Sequence, residues 1–206
     1  MQQAMNAGSN MVLLFLDASH FVMGCDWLGS VYCLARRFLR TFSGRFRYNV
    51  LGAMDFVSKR VLTVSNDSYI TSTEVCEMLR KIAEEYHGKD IHLVLDNARY
   101  QRCKVVQELA AELHIQLDYM PPYSPNLNLI ERLWKFVKSS LRTQCWYLDD
   151  FVLFQNAIDS IIASTTRENK AKIDTLIGEK VQLFDNLLPD IAGNISSGQK
   201  TGKAAA

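Results

Sequence analysis

The chain has 206 residues, 48% of them hydrophobic, enough for one sizeable core or one core plus an appendage. Its net charge of +1 excludes a global field for nucleic acid, so any such binding has to come from local patches. Cys25, Cys33, Cys76, Cys103 and Cys145 are odd in number and form no CxxC pair, which argues against a disulfide scaffold or a zinc finger and fits a reducing cytosol. His20 with Cys25 and Cys33 has no zinc-site spacing. The apolar run from Met11 to Leu16 is far too short to span a membrane and no charged segment precedes it, so a soluble cytoplasmic protein is expected.

In chain order, residues 1–10 are small and polar and are expected to fray as a disordered leader. Residues 11–16, MVLLFL, form a continuous apolar run, as expected of a strand buried on both faces, and the run ends at Asp17. That carboxylate either caps a turn or is presented at a sheet end for chemistry. Residues 21–34 carry Gly24, Trp27 and Gly29 and suggest a hairpin or an irregular strand pair. Residues 35–48 then interleave Arg36, Arg37, Arg40, Arg45 and Arg47 with Phe38, Phe42, Phe46 and Tyr48, and no Asp or Glu occurs between Asp26 and Asp55. Such a stretch grips phosphates and stacks on bases, or else is a strand with aromatics inward and arginines outward.

Residues 46–54 and 60–64 predict two antiparallel strands joined around Asp55 to Lys59. Residues 71–86 predict a helix, capped by Thr71 with Glu74 or by Ser72, with Val75, Met78, Leu79 and Ile82 inward and Gly88 beyond its end. Residues 91–96, IHLVLD, are a second buried strand ending in a second aspartate, Asp96. A helix over 102–114 and a short strand over 115–120 follow. Pro121, Pro122 and Pro125 stiffen the next loop. Asn128 is placed to cap the helix after it, with Glu131 in capping-box register. On that helix Ile130, Leu133, Trp134, Val137 and Leu141 make an apolar face, while Glu131, Lys135, Lys138 and Arg142 make a second stripe. Glu131 reads either as a carboxylate presented among cations or as a cap on a solvated helix.

Residues 148–163 predict a further helix with Asp149 or Asp150 near its start and Phe151, Phe154, Ile158 and Ile161 inward. Residues 168–187 predict another, with Ile173, Leu176, Ile177, Val181 and Phe184 periodic, to cover the sheet or to pair with a second subunit. The tail after Pro189 lacks periodicity and reads as disordered. The whole order is that of an α/β layered domain with a mixed sheet. Asp17 and Asp96 end apolar strands and Glu131 sits on a nearby helix. Hard cations such as Mg²⁺ take carboxylate oxygens, and two of them roughly 3.5–4 Å apart can drive phosphodiester chemistry.

LFLDASHF at 14–21, LVLDNARYQ at 93–101 and MPPYSPNLNLIERLWKFVK at 120–138 resemble the DDE transposases of the mariner superfamily, in their bacterial insertion-sequence branch. The resemblance covers residues 11–145, and Asp96 and Glu131 have the 34 intervening residues typical of that group. It implies an RNase H-like fold: a mixed five-stranded sheet flanked by helices, with extra C-terminal helices. It implies catalysis and metal ligation by Asp17 on the first strand, Asp96 on the fourth and Glu131 on the following helix, with Mg²⁺ or Mn²⁺ as two ions. The implied activity is strand cleavage and strand transfer at transposon ends, in cut-and-paste transposition. Implied partners are double-stranded DNA, a second copy in a homodimer and a separately encoded helix-turn-helix chain, at the bacterial nucleoid. Arg36, Arg37, Arg40, Arg45, Arg47, Asn97, Lys135, Lys138 and Arg142 are the expected DNA contacts.

The expected organisation is a leader over 1–10, a catalytic domain over 11–163, a helical extension over 164–190 and a tail over 191–206. Gln101 stands where the family usually has His, Leu129 where it has Pro, and Ala18 where Glu often follows the first aspartate. None of these removes a proposed ligand. Relatives carry helix-turn-helix domains before the first strand. The ten polar residues here lead us to expect a catalytic fragment or the second half of a split transposase. An inactive RNase H-like DNA-binding module and a regulatory partner of a full transposase are the alternatives, against which the intact Asp17, Asp96 and Glu131 argue.

Overall fold

A computed structural model describes residues 10–23, 46–121, 128–144, 150–165 and 170–178. Five strands, β1 (Met11–Val22), β2 (Arg47–Asp55), β3 (Val61–Asn66), β4 (Asp90–Leu95) and β5 (Ile115–Tyr119), form one sheet in the order β3-β2-β1-β4-β5. The helices are α1 (Ser72–Glu85), α2 (Lys104–Glu112), α3 (Ile130–Gln144), α4 (Phe151–Ser164) and α5 (Lys170–Gly178). β3-β2-β1 is antiparallel and β1-β4-β5 is parallel. The parallel pairs follow from helical crossovers, since α1 joins β3 to β4 and α2 joins β4 to β5.

Side chains alternate across the sheet, and both faces are covered. Val12, Leu14 and Leu16 of β1 pack with Met78, Leu79 and Ile82 of α1 and Val106 of α2. Leu13, Phe15 and Phe21 pack on the other side with Leu133, Trp134 and Val137 of α3, Phe154 and Ile158 of α4, and Ile173 and Ile177 of α5. Burial on both faces is why β1 and β4 read as unbroken apolar runs. The Thr71–Glu74 capping box forms as the sequence predicts, with the Thr71 amide donating to Glu74 Oε2 at 2.7 Å. No helix among the described residues is long and apolar enough to cross a membrane.

Several expectations shift. β1 does not end at Asp17 but runs to Val22, because β2 stays paired with it through Val22↔Arg47 after β4 has left at Phe15↔Val94. Residues 21 and 22 therefore belong to β1 rather than to a hairpin over 21–34, of which residues 24–34 lie outside the described residues. α2 begins at Lys104, since residues 98–103 turn back on themselves through Gln101 N–H to the Ala98 carbonyl. Asn128 does not cap α3. Its Nδ2 donates to the Leu16 carbonyl at 3.2 Å, and its buried Oδ1 has no hydrogen-bond partner. Asp150 does cap α4, accepting from the amides of Val152 and Leu153.

One glycine sets how closely α3 approaches the sheet. A Cβ on Gly52 would stand 2.7 Å from Cη2 and Cζ2 of Trp134 and 3.2 Å from Cδ1 of Ile130. Gly52→Ala should therefore cost about 1–3 kcal/mol through overpacking against a rigid indole and a helix. Urea denaturation followed by far-ultraviolet circular dichroism checks this; an unchanged midpoint would show that the indole has room to move.

Candidate active site

Three separate pieces of local structure bring the acidic residues towards one another. Asp17 lies on β1 opposite Gly52, on the same face as Phe15 and Phe21, which is the face that α3 covers. Asp96 directly follows β4. The parallel register pairs Phe15 with Val94, the last pair before β4 leaves β1, and Asp17 and Asp96 each lie two residues beyond it. Glu131 is in the first turn of α3, where a carboxylate is favoured by the helix dipole. The loop before α3 is tied to β1 by the Asn128 bond to Leu16, one residue before Asp17. The end of β4 is tied to the end of β5 by Met120 N–H to the Leu95 carbonyl at 3.0 Å and by the Asn97 amide to the Met120 carbonyl.

The electrostatics record this proximity. Burial raises the Asp17 carboxyl from its usual 3.8 to about 6, opposed by the Ala18 amide and reinforced by the charges of Glu131 and, more weakly, Asp96. The Trp134 side chain favours the ionised form, yet its buried indole N–H closes no hydrogen bond of normal geometry. The Tyr100 hydroxyl is pushed up by burial and then by the charges of Asp17 and Asp96, so this ring borders the same place. Asp96 is exposed and its Oδ1 accepts from the Asn97 amide at 2.6 Å.

As hard oxygen donors carrying uncompensated negative charge, the three carboxylates fit a divalent cation in chemistry. In geometry they are not drawn together: among the described residues, no three His, Cys, Asp or Glu side chains are grouped to hold a metal ion.

The expected DNA contacts divide. Arg36, Arg37, Arg40 and Arg45 lie outside the described residues. Arg47 begins β2 and is exposed, as are Lys135 and Lys138 on α3, and the Lys138 ammonium stands 5.6 Å over the Phe21 ring. Arg142 continues the same helix. The Asn97 amide group is taken up within the fold by Met120. Sequence reasoning gives no site role to Gly52, Tyr100 or Trp134. A glycine inside the otherwise apolar run of β2 is the available signal, since such a residue marks close approach of another element.

A family model for DDE superfamily endonucleases matches residues 12–150. No curated protein matches the chain. Among solved structures, Mos1 transposase in a paired-end complex with the left transposon end aligns with a TM-score of 0.58 at 12% identity, over 82% of this chain and 56% of that one. A chain of the simian T-cell lymphotropic virus intasome in complex with PP2A regulatory subunit B56 gamma gives 0.53 at 19% identity, over 74% and 47%. The HTLV-2 integrase catalytic core domain in complex with magnesium gives 0.50 at 19% identity, over 75% and 86%. The likeness is one of fold: the mixed five-stranded sheet with flanking helices is RNase H-like. This chain spans about half the length of the first two.

The raised pKa of Asp17 links stability to pH. Its carboxyl binds a proton more tightly folded, near 6, than unfolded, near 3.8. The contribution of this group to stability is therefore greatest at low pH and is lost as pH rises through that window. Asp17→Asn should stabilise the metal-free protein at pH 7.5 by about 1–2 kcal/mol, a few degrees in melting temperature. The gain should shrink as pH is lowered towards 4. Thermal melts across that range measure it, and a gain that does not vary with pH would contradict the assignment.

Proposed function

This chain belongs to the DDE superfamily endonucleases, and on that premise we propose that it is the catalytic domain of a DNA transposase, cleaving and joining strands at transposon ends in cut-and-paste transposition. What supports this most directly is that Glu131, on α3, and more weakly Asp96, just after β4, act electrostatically on Asp17 of β1 and add to the rise in its pKa. The catalytic domain would take residues 11–163, with 164–190 as a helical extension.

Asp17, Asp96 and Glu131 would hold Mg²⁺ or Mn²⁺, as two ions, which when bound activate a water or a 3′-hydroxyl and stabilise the leaving oxygen of the phosphodiester. Asp17 serves in its ionised form. The metal-free carboxyl takes up its proton near 6, so the apparent affinity for Mg²⁺ should weaken as pH drops through about 6, which a metal titration at several pH values measures. Lys135, Lys138 and Arg142, on the helix that carries Glu131, would lie along the phosphate backbone with Arg47. Lys138 already leans over Phe21, which is on the same face of β1 as Asp17, four residues further along the strand. The magnesium in the HTLV-2 integrase core and the transposon end in the Mos1 complex belong to those proteins and agree with this reading. A second copy of the chain and a separately encoded helix-turn-helix chain would complete the assembly on DNA, at the nucleoid of a bacterial cell.

Two measurements test the proposal. Glu131→Gln keeps size and helix propensity, so fold and DNA binding should persist. Nicking of a labelled duplex carrying the cognate transposon end, with any separate DNA-binding chain supplied, should drop on the order of a hundredfold or more. Wild-type nicking by this variant would sink the catalytic assignment. Separately, Lys135→Ala with Lys138→Ala should weaken DNA binding across all sequences and lower the salt slope by about 1 for each phosphate that is no longer neutralised. A salt slope that stays the same would place those lysines away from DNA.

A further inference from the structure

Trp134 combines two features that packing alone does not explain. It is 4% exposed, and its buried indole N–H closes no hydrogen bond of normal geometry. Buried indole N–H groups usually find an acceptor. The ring is closely held: its Cζ2 and Cη2 press on Gly52, and Phe21 meets it edge-on with ring centroids 6.3 Å apart at 80°. Cζ2 belongs to the edge of the indole that also carries Nε1. Gly52 is the register partner of Asp17. The contact that holds the ring down is thus on the register partner of Asp17, and the Trp134 side chain acts on the Asp17 carboxyl to favour its ionised form.

We propose that Trp134 is a positioning residue: its indole N–H donates to the Asp17 carboxylate and holds that group in one orientation towards the metal. This rests on the reading above, in which Asp17 is a metal ligand. The choice of residue suits the task. An indole N–H only donates, so it serves the ionised carboxylate and never competes as an acceptor. It is also neutral, so it orients Asp17 without cancelling the charge that a cation needs, as Lys or Arg would. Donors behind metal ligands typically change metal affinity by about 10–100-fold.

The test uses the 206-residue chain and two readouts that do not depend on DNA cleavage. In ¹⁵N-labelled protein the three tryptophans give three indole signals, assigned with Trp27→Phe and Trp146→Phe. Asp17→Ala should move the Trp134 signal upfield and speed its exchange with solvent. Mn²⁺ affinity is then measured by calorimetry for wild type, for Asp17→Ala and for protein with 3-benzothienylalanine at position 134. That analogue keeps the bicyclic outline above Gly52 and replaces the N–H with sulfur, so folding is preserved. Expected are loss of Mn²⁺ binding in Asp17→Ala and about 10–100-fold weaker binding with the analogue. Lost binding in Asp17→Ala with an unmoved indole signal, or with wild-type affinity in the analogue, overturns the positioning role alone. Unchanged Mn²⁺ affinity in Asp17→Ala overturns the metal reading and the positioning role with it.

Discussion

The close approach of Trp134 to Gly52 is the constraint on which the rest of this molecule depends. α3 is the only described helix whose first turn carries an acidic side chain that acts on Asp17. Its height above the sheet is set where a side chain is missing from β2. Interiors are packed to near crystal density, so a gap of one methyl group at the right place is enough to seat an aromatic ring. With the ring seated, Ile130, Leu133 and Val137 of the same helix pack with the side chains of β1 and β2, and Glu131 comes near enough for its charge to act on Asp17.

The second determinant is the fork in the sheet. β4 stops pairing with β1 at Phe15↔Val94, whereas β2 goes on to Val22. Asp17 sits just past this divergence, held in a strand on one side and opened on the other. Parallel strands leave their carboxyl ends free in this way, which is where α/β sheets place their sites. The fork also explains why Asp17 is neither fully wrapped nor fully wet. It is half-buried, and burial is the leading cause of its raised pKa. Repulsion from Glu131 and, more weakly, Asp96 adds to that cost.

The polar groups around the fork divide into those that brace it and those left open. Asn97 joins the ends of β4 and β5, and Asn128 ties the entry of α3 to β1. Both use the donor end of the amide on a backbone carbonyl. Those bonds go to the Met120 carbonyl, just past the end of β5, and to the Leu16 carbonyl, where β4 has left β1. The sequence favours Asn128 as a cap at the start of α3, because asparagine there ordinarily accepts from helix amides. Here its Nδ2 goes instead to the Leu16 carbonyl, and its Oδ1 stays buried without a partner.

Read on its own, the sequence determined the local elements. Apolar runs with no alternation meant strands buried on both faces, and the Thr71–Glu74 spacing meant a capped helix; both needed only neighbouring residues. It also singled out Asp17, Asp96 and Glu131 as carboxylates at the edges of apolar elements, and their motifs pointed to the family that the chain belongs to. What it did not determine was anything set by pairing between distant segments. The extension of β1 past Asp17 depends on β2, a separate stretch of chain, continuing to pair with it. The seat of Trp134 depends on Gly52, and the use of Asn128 depends on a carbonyl 112 residues earlier. Periodicity reports which face of an element is apolar, but not which partner fills it. Only the folded chain decides that, because the close packing and hydrogen-bond satisfaction that choose between partners exist only once those partners have met.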